Sequence, residues 1–193
     1  MATDTRAPGE ELALMLRIEA RGAGRHAGTP ESFWGATARG DLLARMALAA
    51  IGEANAAPTS LHASFLAEAE PDREVEIRVD APVAAQRRVH LDQRGAPICD
   101  ATFRFDPPSG ELTYRSASPH WAVERRLGPA FPTTDLALHD FALWIHRPAR
   151  WDDFWLVTTR TDVGVAGRCF SRREIATRDG ELVASAAWEL SAR

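Results

Sequence analysis

The side chains that most often carry chemistry are few in this sequence and are spread along it. Six histidines occur among the 193 residues, without an HExxH pattern or another pair at i,i+4 on a helix. The two cysteines, Cys99 and Cys169, lie far apart and in no CxxC pair. Because zinc sites need closely spaced ligands, the sequence predicts no metal site. We expect both cysteines to be buried apolar residues in strands, without a disulfide.

All 23 basic residues are arginine, and the chain contains no lysine. Schiff-base chemistry, pyridoxal phosphate attachment and a Walker-type phosphate loop each require a lysine and are therefore excluded. A net charge of −4 argues against nucleic-acid binding, which depends on a basic surface. The arginine pairs at 87–88, 125–126 and 172–173 are either solvated or contact phosphate, which a guanidinium binds through two parallel hydrogen bonds.

The sequence shows no membrane or export signal. No apolar run approaches the roughly 18 residues that a membrane span requires. The N-terminal residues include Asp4, Glu10 and Glu11 and do not resemble a signal peptide. We therefore predict a cytoplasmic protein that does not bind a membrane.

The hydrophobic pattern of residues 12–105 predicts a strand, one long helix and then an antiparallel meander. Thr29-Pro30-Glu31 is a helix start signal, in which a hydroxyl cap precedes proline at the first helical position. Apolar residues then recur at helical spacing to about Ala54, and beyond Pro58 they alternate with polar residues as in strands. The predicted elements are a strand at 12–21, a helix at 31–54 and strands at 60–66, 74–80, 87–91 and 97–105.

Turn residues divide the rest of the chain. The loop at 92–95 ends in Gly95, which suits a positive φ, and Asp179-Gly180 is a second hairpin signal. A Pro-Pro-Ser-Gly stretch at 107–110 marks a boundary between two halves. The second half is predicted to contain a short helix at 118–127 and strands at 136–146, 154–162, 167–177 and 182–190.

Several stretches resemble the acyl-CoA thioesterase II family, which has a double hot-dog fold. The most specific of them is Asp140-Phe141-Ala142-Leu143-Trp144-Ile145-His146-Arg147-Pro148, which is similar to a D-H-x-x-W-F-H-R-P signature. The others are 61–66, 87–89, 93–98, 101–103 and 178–185. The resemblance implies an α+β hot-dog fold, in which an antiparallel sheet wraps one long helix. It also implies one complete repeat near 10–106 and an abbreviated second repeat near 110–193.

The residues that the family uses to orient the hydrolytic water are not in their expected places. In the family an Asp on the second repeat's helix, a Thr and a Gln share this task. Here the Thr position is Leu138 and the Gln position is Trp188, and the indole can only donate one hydrogen bond. The stretch between Gly110 and Leu136 is too short for a strand and a long helix, so the Asp has no counterpart.

The resemblance leaves the first repeat to supply the chemistry. Asp41 resembles the family's Asp in its local sequence and would position the water; otherwise it is a surface acid that pairs with Arg45. Thr59 or Ser60, at the start of the next strand, would assist. Backbone amides near Gly35, at the helix start, would hold the carbonyl oxygen.

Three further residues are candidate substrate contacts: His62, Asp140 and Trp188. Asp140 lies in an apolar strand where an unpaired carboxylate would be costly, so either Arg147 or His139 pairs with it or it faces a ligand. His62 is either a satisfied core histidine or a functional group.

The leading prediction for function is hydrolysis of acyl-CoA or a related acyl thioester in fatty acid metabolism, by direct water attack without metal or cofactor. The alternative is a non-catalytic module that binds acyl-CoA or an acyl chain, which Leu138 and Trp188 favour. A hydratase or dehydratase would need a histidine beside an acid, and the sequence does not show which histidine that is. Exposed sheet edges predict a homodimer.

Overall fold

The computed structural model describes residues 17–30, 40–52, 58–105, 124–127, 136–147, 155–165 and 167–192. The chain divides into two units. Unit 1 comprises Met1–Ala57 and Ala63–Phe105, and unit 2 comprises Pro58–His62 and Asp106–Arg193. Each unit contains a largely antiparallel sheet, and one helix is described, so the predicted α+β class is confirmed. None of the helical residues in these ranges forms a segment long and apolar enough to cross a bilayer.

Unit 1 combines a helix with an antiparallel sheet whose strand order is β1-β2-β4-β5-β6. The last three residues of β3 also belong to it. Its elements are β1 (Glu19–Gly22), β2 (Arg25–Gly28), α1 (Gly40–Ile51), β3 (Ser60–Phe65), β4 (Val75–Val79), β5 (Gln86–Gln93) and β6 (Ala96–Arg104).

Unit 2 is a sheet with the strand order β8-β11-β10-β9-β7. Its pairs are antiparallel except for β7 and β9, which run parallel. The first three residues of β3 belong to this unit, where the carbonyl of Thr59 accepts a hydrogen bond of 2.8 Å from the amide of Ile145. Its other strands are β7 (Glu124–Leu127), β8 (Leu136–Ile145), β9 (Trp155–Val165), β10 (Arg168–Thr177) and β11 (Leu182–Ala192).

The core of unit 1 follows from two periodicities in the sequence. Alternate residues of β4 and β5 point to one face, and those on the inner face, such as Ile77 and Leu91, are buried. The apolar stripe of α1, which includes Leu43 and Met46, packs on β4, β5 and β6. Small alanines in the stripe let helix and sheet approach closely. Gly52 then ends the helix, with φ of +63° just after the last helical residue.

The predicted turns are confirmed by backbone geometry. Arg94 and Gly95 have φ of +55° and +75° and form a two-residue loop between the paired Gln93 and Ala96. Two left-handed residues in succession are typical of the type I′ turn, whose twist matches that of the flanking strands. In the second hairpin Gly180 has φ of +85°, and its amide donates to the carbonyl of Thr177 at 3.0 Å.

Two predicted elements need correction. The described part of the predicted helix at 118–127 is strand β7, because ladder bonds to β9 stabilise a four-residue segment that is too short to be a stable helix in water. The single strand predicted at 12–21 omits β2, which pairs with both β1 and β4. The rest of those two segments, and positions 31–39 of the predicted helix, lie outside the described residues.

Both cysteines are free and buried, as predicted. Burial, together with the neighbouring negative charge of Asp100, raises the pKa of the Cys99 thiol to about 12. A thiol with such a pKa is almost entirely protonated at neutral pH, and the thiolate is the reactive form. Cys99 is therefore not a nucleophile in the folded protein.

We expect Phe103→Ala to lower the free energy of unfolding by about 3–5 kcal/mol, because it leaves a cavity in the core of unit 1. Phe103 is 1% exposed, whereas Phe170 is 41% exposed and provides a matched control. Phe170→Ala should change stability by about 0.5 kcal/mol or less. Urea unfolding of the two variants measures the difference, and equal losses would contradict the assignment of the core.

Candidate functional site

Asp41 occupies the second position of α1, in the first turn of that helix. The partial positive charge at a helix N-terminus favours a carboxylate at this position. The side chain of Asp41 and the whole of Gly35 lie outside the described residues, so their assigned roles stay predictions. The residues that follow Asp41, Leu42 and Leu43, are buried and fix the orientation of the helix.

Thr59 and Ser60 lie at the start of β3, as the sequence predicts. Ser60 is 7% exposed, so its hydroxyl lies in a largely water-free environment. The hydrogen bond from the Ile145 amide fixes the backbone of Thr59. These two residues belong to unit 2, whereas Asp41 belongs to unit 1. A joint role for the three remains a prediction.

His62 is exposed, which corrects the interpretation that it is a core histidine. Its ring meets Trp144 edge to face, with ring centroids 5.3 Å apart and an interplanar angle of 85°. Just after β8, Nε2 of His146 lies 2.9 Å from Oγ of Ser185. Partial burial lowers the pKa of His146, so the neutral ring is favoured at neutral pH. Unit 2 therefore presents two imidazoles in contact with an indole and a hydroxyl.

Asp140 and Trp188 point to opposite faces of the unit 2 sheet. Asp140 pairs with Glu189, and Trp188 pairs with Phe141. Residues opposite each other on neighbouring strands share a face, and successive residues alternate. The structure therefore does not bring these two predicted contacts together on one face.

Asp140 is also exposed, so the predicted cost of burying its carboxylate does not arise. Both residues that the sequence offered as its partners have other hydrogen bonds. Arg147 donates to Glu181 at 3.0 Å, and His139 Nε2 lies 2.6 Å from Oγ of Ser191.

The face of the unit 2 sheet that carries Trp188, which we call the Trp188 face, is built from three cross-strand rows. It is the more covered face, because Ser171 is 3% and Ala186 is 6% exposed. The rows are Phe141-Trp188-Ser171-Thr161, Leu143-Ala186-Arg173-Thr159 and Ile145-Ala184-Ile175-Val157.

An arginine lies over the indole on this face. The guanidinium carbon of Arg173 is 5.3 Å from the centroid of the Trp188 ring, which is a cation–π distance. The Nε of Arg173 donates to Oγ1 of Thr159 at 3.0 Å, and the hydroxyls of Thr161 and Ser171 lie 3.0 Å apart in the adjacent row. Arg172 and Arg173 are adjacent in the sequence, but the alternation of side chains along β10 directs Arg172 to the opposite face, where it is exposed.

Unit 1 contains a cluster that the sequence did not reveal. Nδ1 of His90 lies 2.6 Å from Oδ1 of Asp100, and Nε2 lies 3.1 Å from Oδ2 of Asp80. Partial burial opposes protonation of the ring, but the hydrogen bonds and negative charges of Asp100 and Asp80 outweigh it and raise the pKa of His90. His90 lies between Val89 and Leu91, which face the core, so it points to the sheet face opposite α1.

This cluster supplies the histidine beside an acid that a hydratase or dehydratase would need. The cluster lies on the sheet face opposite α1, so it does not face the helix around which a hot-dog sheet wraps. Within the ranges that the structure describes, no group of three or more His, Cys, Asp or Glu side chains has the geometry of a metal site.

Residues 21–190 match the family model of the acyl-CoA thioesterase C-terminal domain. Among solved structures the chain is similar to acyl-CoA thioesterase II TesB2 from Mycobacterium marinum, with 17% identity, a TM-score of 0.72 and coverage of 95% of this chain and 97% of that one. The TesB protein from Mycobacterium avium subspecies paratuberculosis gives 17% identity, a TM-score of 0.69 and coverage of 94% and 98%.

A protein of unknown function with a hot-dog fold from Alicyclobacillus acidocaldarius is 13% identical, with a TM-score of 0.65 and coverage of 95% of this chain and 98% of that one. A search of curated proteins finds no match. At these identities the solved structures bear on the fold alone, and they confirm the predicted hot-dog fold.

We expect the His90 ring to titrate above its ordinary pKa of 6.5. A folded-state pKa above the unfolded one means that His90 stabilises the fold below pH 6.5 and that this contribution is lost as the pH rises through the folded pKa. Asp100→Asn should lower the midpoint, while Asp92→Asn, on the same strand as His90, should leave it nearly unchanged. NMR titration, with His90→Gln to assign the resonance, measures both effects. A wild-type midpoint at or below 6.5 would contradict the described cluster.

Proposed function

The chain belongs to the acyl-CoA thioesterase C-terminal domain family, and from this premise we propose that it hydrolyses an acyl thioester, with acyl-CoA as the substrate class. The observation that carries the proposal is the length of the family match, from residue 21 to residue 190, which includes residues of both units. The hot-dog architecture supports it, since a helix against a curved sheet is the scaffold of this family.

In the proposed mechanism a water molecule attacks the thioester carbonyl directly. Asp41 orients this water and accepts its proton, while Thr59 or Ser60 assists with a hydroxyl. Backbone amides near Gly35 donate hydrogen bonds to the oxyanion that develops on the carbonyl oxygen. Collapse of the tetrahedral intermediate breaks the carbon–sulfur bond, and the proton held by Asp41 passes to the departing sulfur, so that the acid and the thiol are released. No covalent enzyme intermediate and no cofactor takes part.

Two features support this assignment of roles. Asp41 is in the first turn of α1, where the helix dipole favours the carboxylate form that a water-orienting base requires. The buried position of Ser60 limits competition from bulk water for its hydroxyl, which strengthens its hydrogen bonds.

The organisation around this activity is also part of the proposal. We assign a complete hot-dog repeat to residues near 10–106 and an abbreviated one to residues near 110–193. β1 and β7 are the first and last strands in the described order, and each has one edge without a described neighbouring strand. Such unpaired edges favour strand pairing in a homodimer. A cytoplasmic location and a role in fatty acid metabolism complete the proposal.

A second candidate function rests on the two positions where this chain departs from the family. Leu138 offers no hydroxyl, and the Trp188 ring lies beneath the guanidinium of Arg173. Neither side chain can orient a water molecule as the family's Thr and Gln do. These substitutions favour a non-catalytic module that binds an acyl-CoA or an acyl chain.

We expect the protein to release free thiol from at least one member of a panel of short, medium, long and aromatic acyl-CoA esters. Asp41→Asn should lower the rate by about 100-fold or more, because one positioned base contributes on this order. Asp92→Asn makes the same replacement of a carboxylate by an amide on β5 and should leave the rate unchanged. A thiol-reactive dye can follow the release, since Cys99 and Cys169 are buried.

The outcomes separate the two candidates. Equal rates for Asp41→Asn and the wild type would remove Asp41 from the mechanism. Absence of turnover on every ester, together with a melting temperature that rises with added acyl-CoA, would favour the binding module.

A further inference from the structure

The three described rows of the Trp188 face of unit 2 contain one charged side chain. These rows contain apolar residues and hydroxyls, and no Asp or Glu occurs in them. The exception is Arg173, which is half-buried on the same strand as the buried Ser171. A positive charge on the more covered face of a sheet is a costly arrangement unless something compensates it.

The described contacts compensate this charge only in part. The guanidinium lies over the Trp188 ring, and Thr159 accepts a hydrogen bond from Nε. Both partners are neutral, and within the described residues no carboxylate lies in salt-bridge range of Arg173. Arg168, at an exposed position of the same strand, differs in this respect, because it donates to Glu189 at 2.8 Å.

The same contacts hold the guanidinium in a defined orientation. The Trp188 ring and the hydrogen bond through Nε restrain the guanidinium, and within the described residues no hydrogen bond uses its two Nη nitrogens, which leaves them for another acceptor. These nitrogens match two oxygens of a carboxylate or a phosphate, which is the geometry of the strongest arginine interactions. The neighbouring groups, the hydroxyls of Ser171 and Thr161 and the indole N–H, are also able to donate.

We propose that the Trp188 face is an anion-recognition site in which Arg173, held on Trp188, binds an oxyanion group of the substrate. This proposal rests on the proposed function, because it places the anion on an acyl thioester. The oxyanion belongs either to a carboxylate at the far end of the acyl group or to a phosphate of the coenzyme A portion. In both cases the charge and hydrogen bonds of the ligand replace water that solvates the guanidinium.

The test begins with binding, which does not depend on turnover. Calorimetric titration of the full chain uses glutarate for the carboxylate source, coenzyme A for the phosphate source and neutral N-acetylcysteamine as the uncharged thiol. Arg173→Gln should weaken binding of the recognised anion by roughly 10- to 100-fold, as expected for loss of a charged hydrogen bond. Arg173→Lys keeps the positive charge but lacks the planar guanidinium, so its affinity for the anion should lie between those of the wild type and Arg173→Gln. Arg168→Gln, on the opposite face of β10, should bind like the wild type.

Kinetics with matched esters then identify the source of the anion. If Arg173 binds an acyl carboxylate, Arg173→Gln should lower kcat/KM for glutaryl-CoA and leave pentanoyl-CoA unchanged. If it binds a phosphate, the variant should lower kcat/KM for both CoA esters and leave the corresponding N-acetylcysteamine esters unchanged. Melting temperatures of all variants establish that each is folded.

The failure of this proposal is distinct from the failure of the proposed function. Anion binding that is absent in the wild type, or identical in Arg173→Gln and the wild type, would overturn the site even if the esters are hydrolysed. Arginine-dependent anion binding without hydrolysis of any ester would support the site and refute the activity.

Discussion

In an antiparallel ladder, residues opposite each other on neighbouring strands point to one face of the sheet, and the next pair points to the other. Most of the polar groups described in this chain lie on strands, so this alternation decides which of them can share a site. It directs Val89 and Leu91 toward α1 and turns His90 away. It also separates Arg172 from Arg173, although they are adjacent in the sequence.

The cost of removing polar groups from water explains the contrast between two buried or half-buried side chains. Gln93 in unit 1 is buried, and backbone groups satisfy it: its Oε1 accepts from the amide of Glu70, and its Nε2 donates to the carbonyls of Glu70 and Arg73. The hydrogen bonds of this side-chain amide are thus made within the protein, and its role is structural. Arg173 in unit 2 has a neutral acceptor and an aromatic ring as its described partners. The difference between a fully bonded polar group and an incompletely bonded one distinguishes scaffold from binding surface.

The sequence predicts those features of the fold that depend on local physics. Most strands and both hairpin turns follow from period-two alternation and from glycines at positions of positive φ. Features set by register or by long-range pairing are not predictable in this way. Counting back from the Arg94-Gly95 turn places His90 opposite Cys99, but an irregularity near Asp92 shifts the ladder, so His90 pairs with Asp100. The Asp80–His90–Asp100 cluster depends on that shift of one residue.

In the candidate site, the position of a residue and its chemistry are predicted from the sequence to different degrees. A position can be transferred from a family by its local sequence, but its chemistry depends on the side chain that occupies it. A glutamine at position 188 could both donate to and accept from a water molecule, whereas the indole of Trp188 accepts nothing. Its π face instead attracts a cation, and Arg173 is in place above it. The exchange removes a means of orienting water and provides a means of holding a positive charge. A hot-dog scaffold can thus be retained while the same strand position changes from a water-binding role to an anion-recognition role.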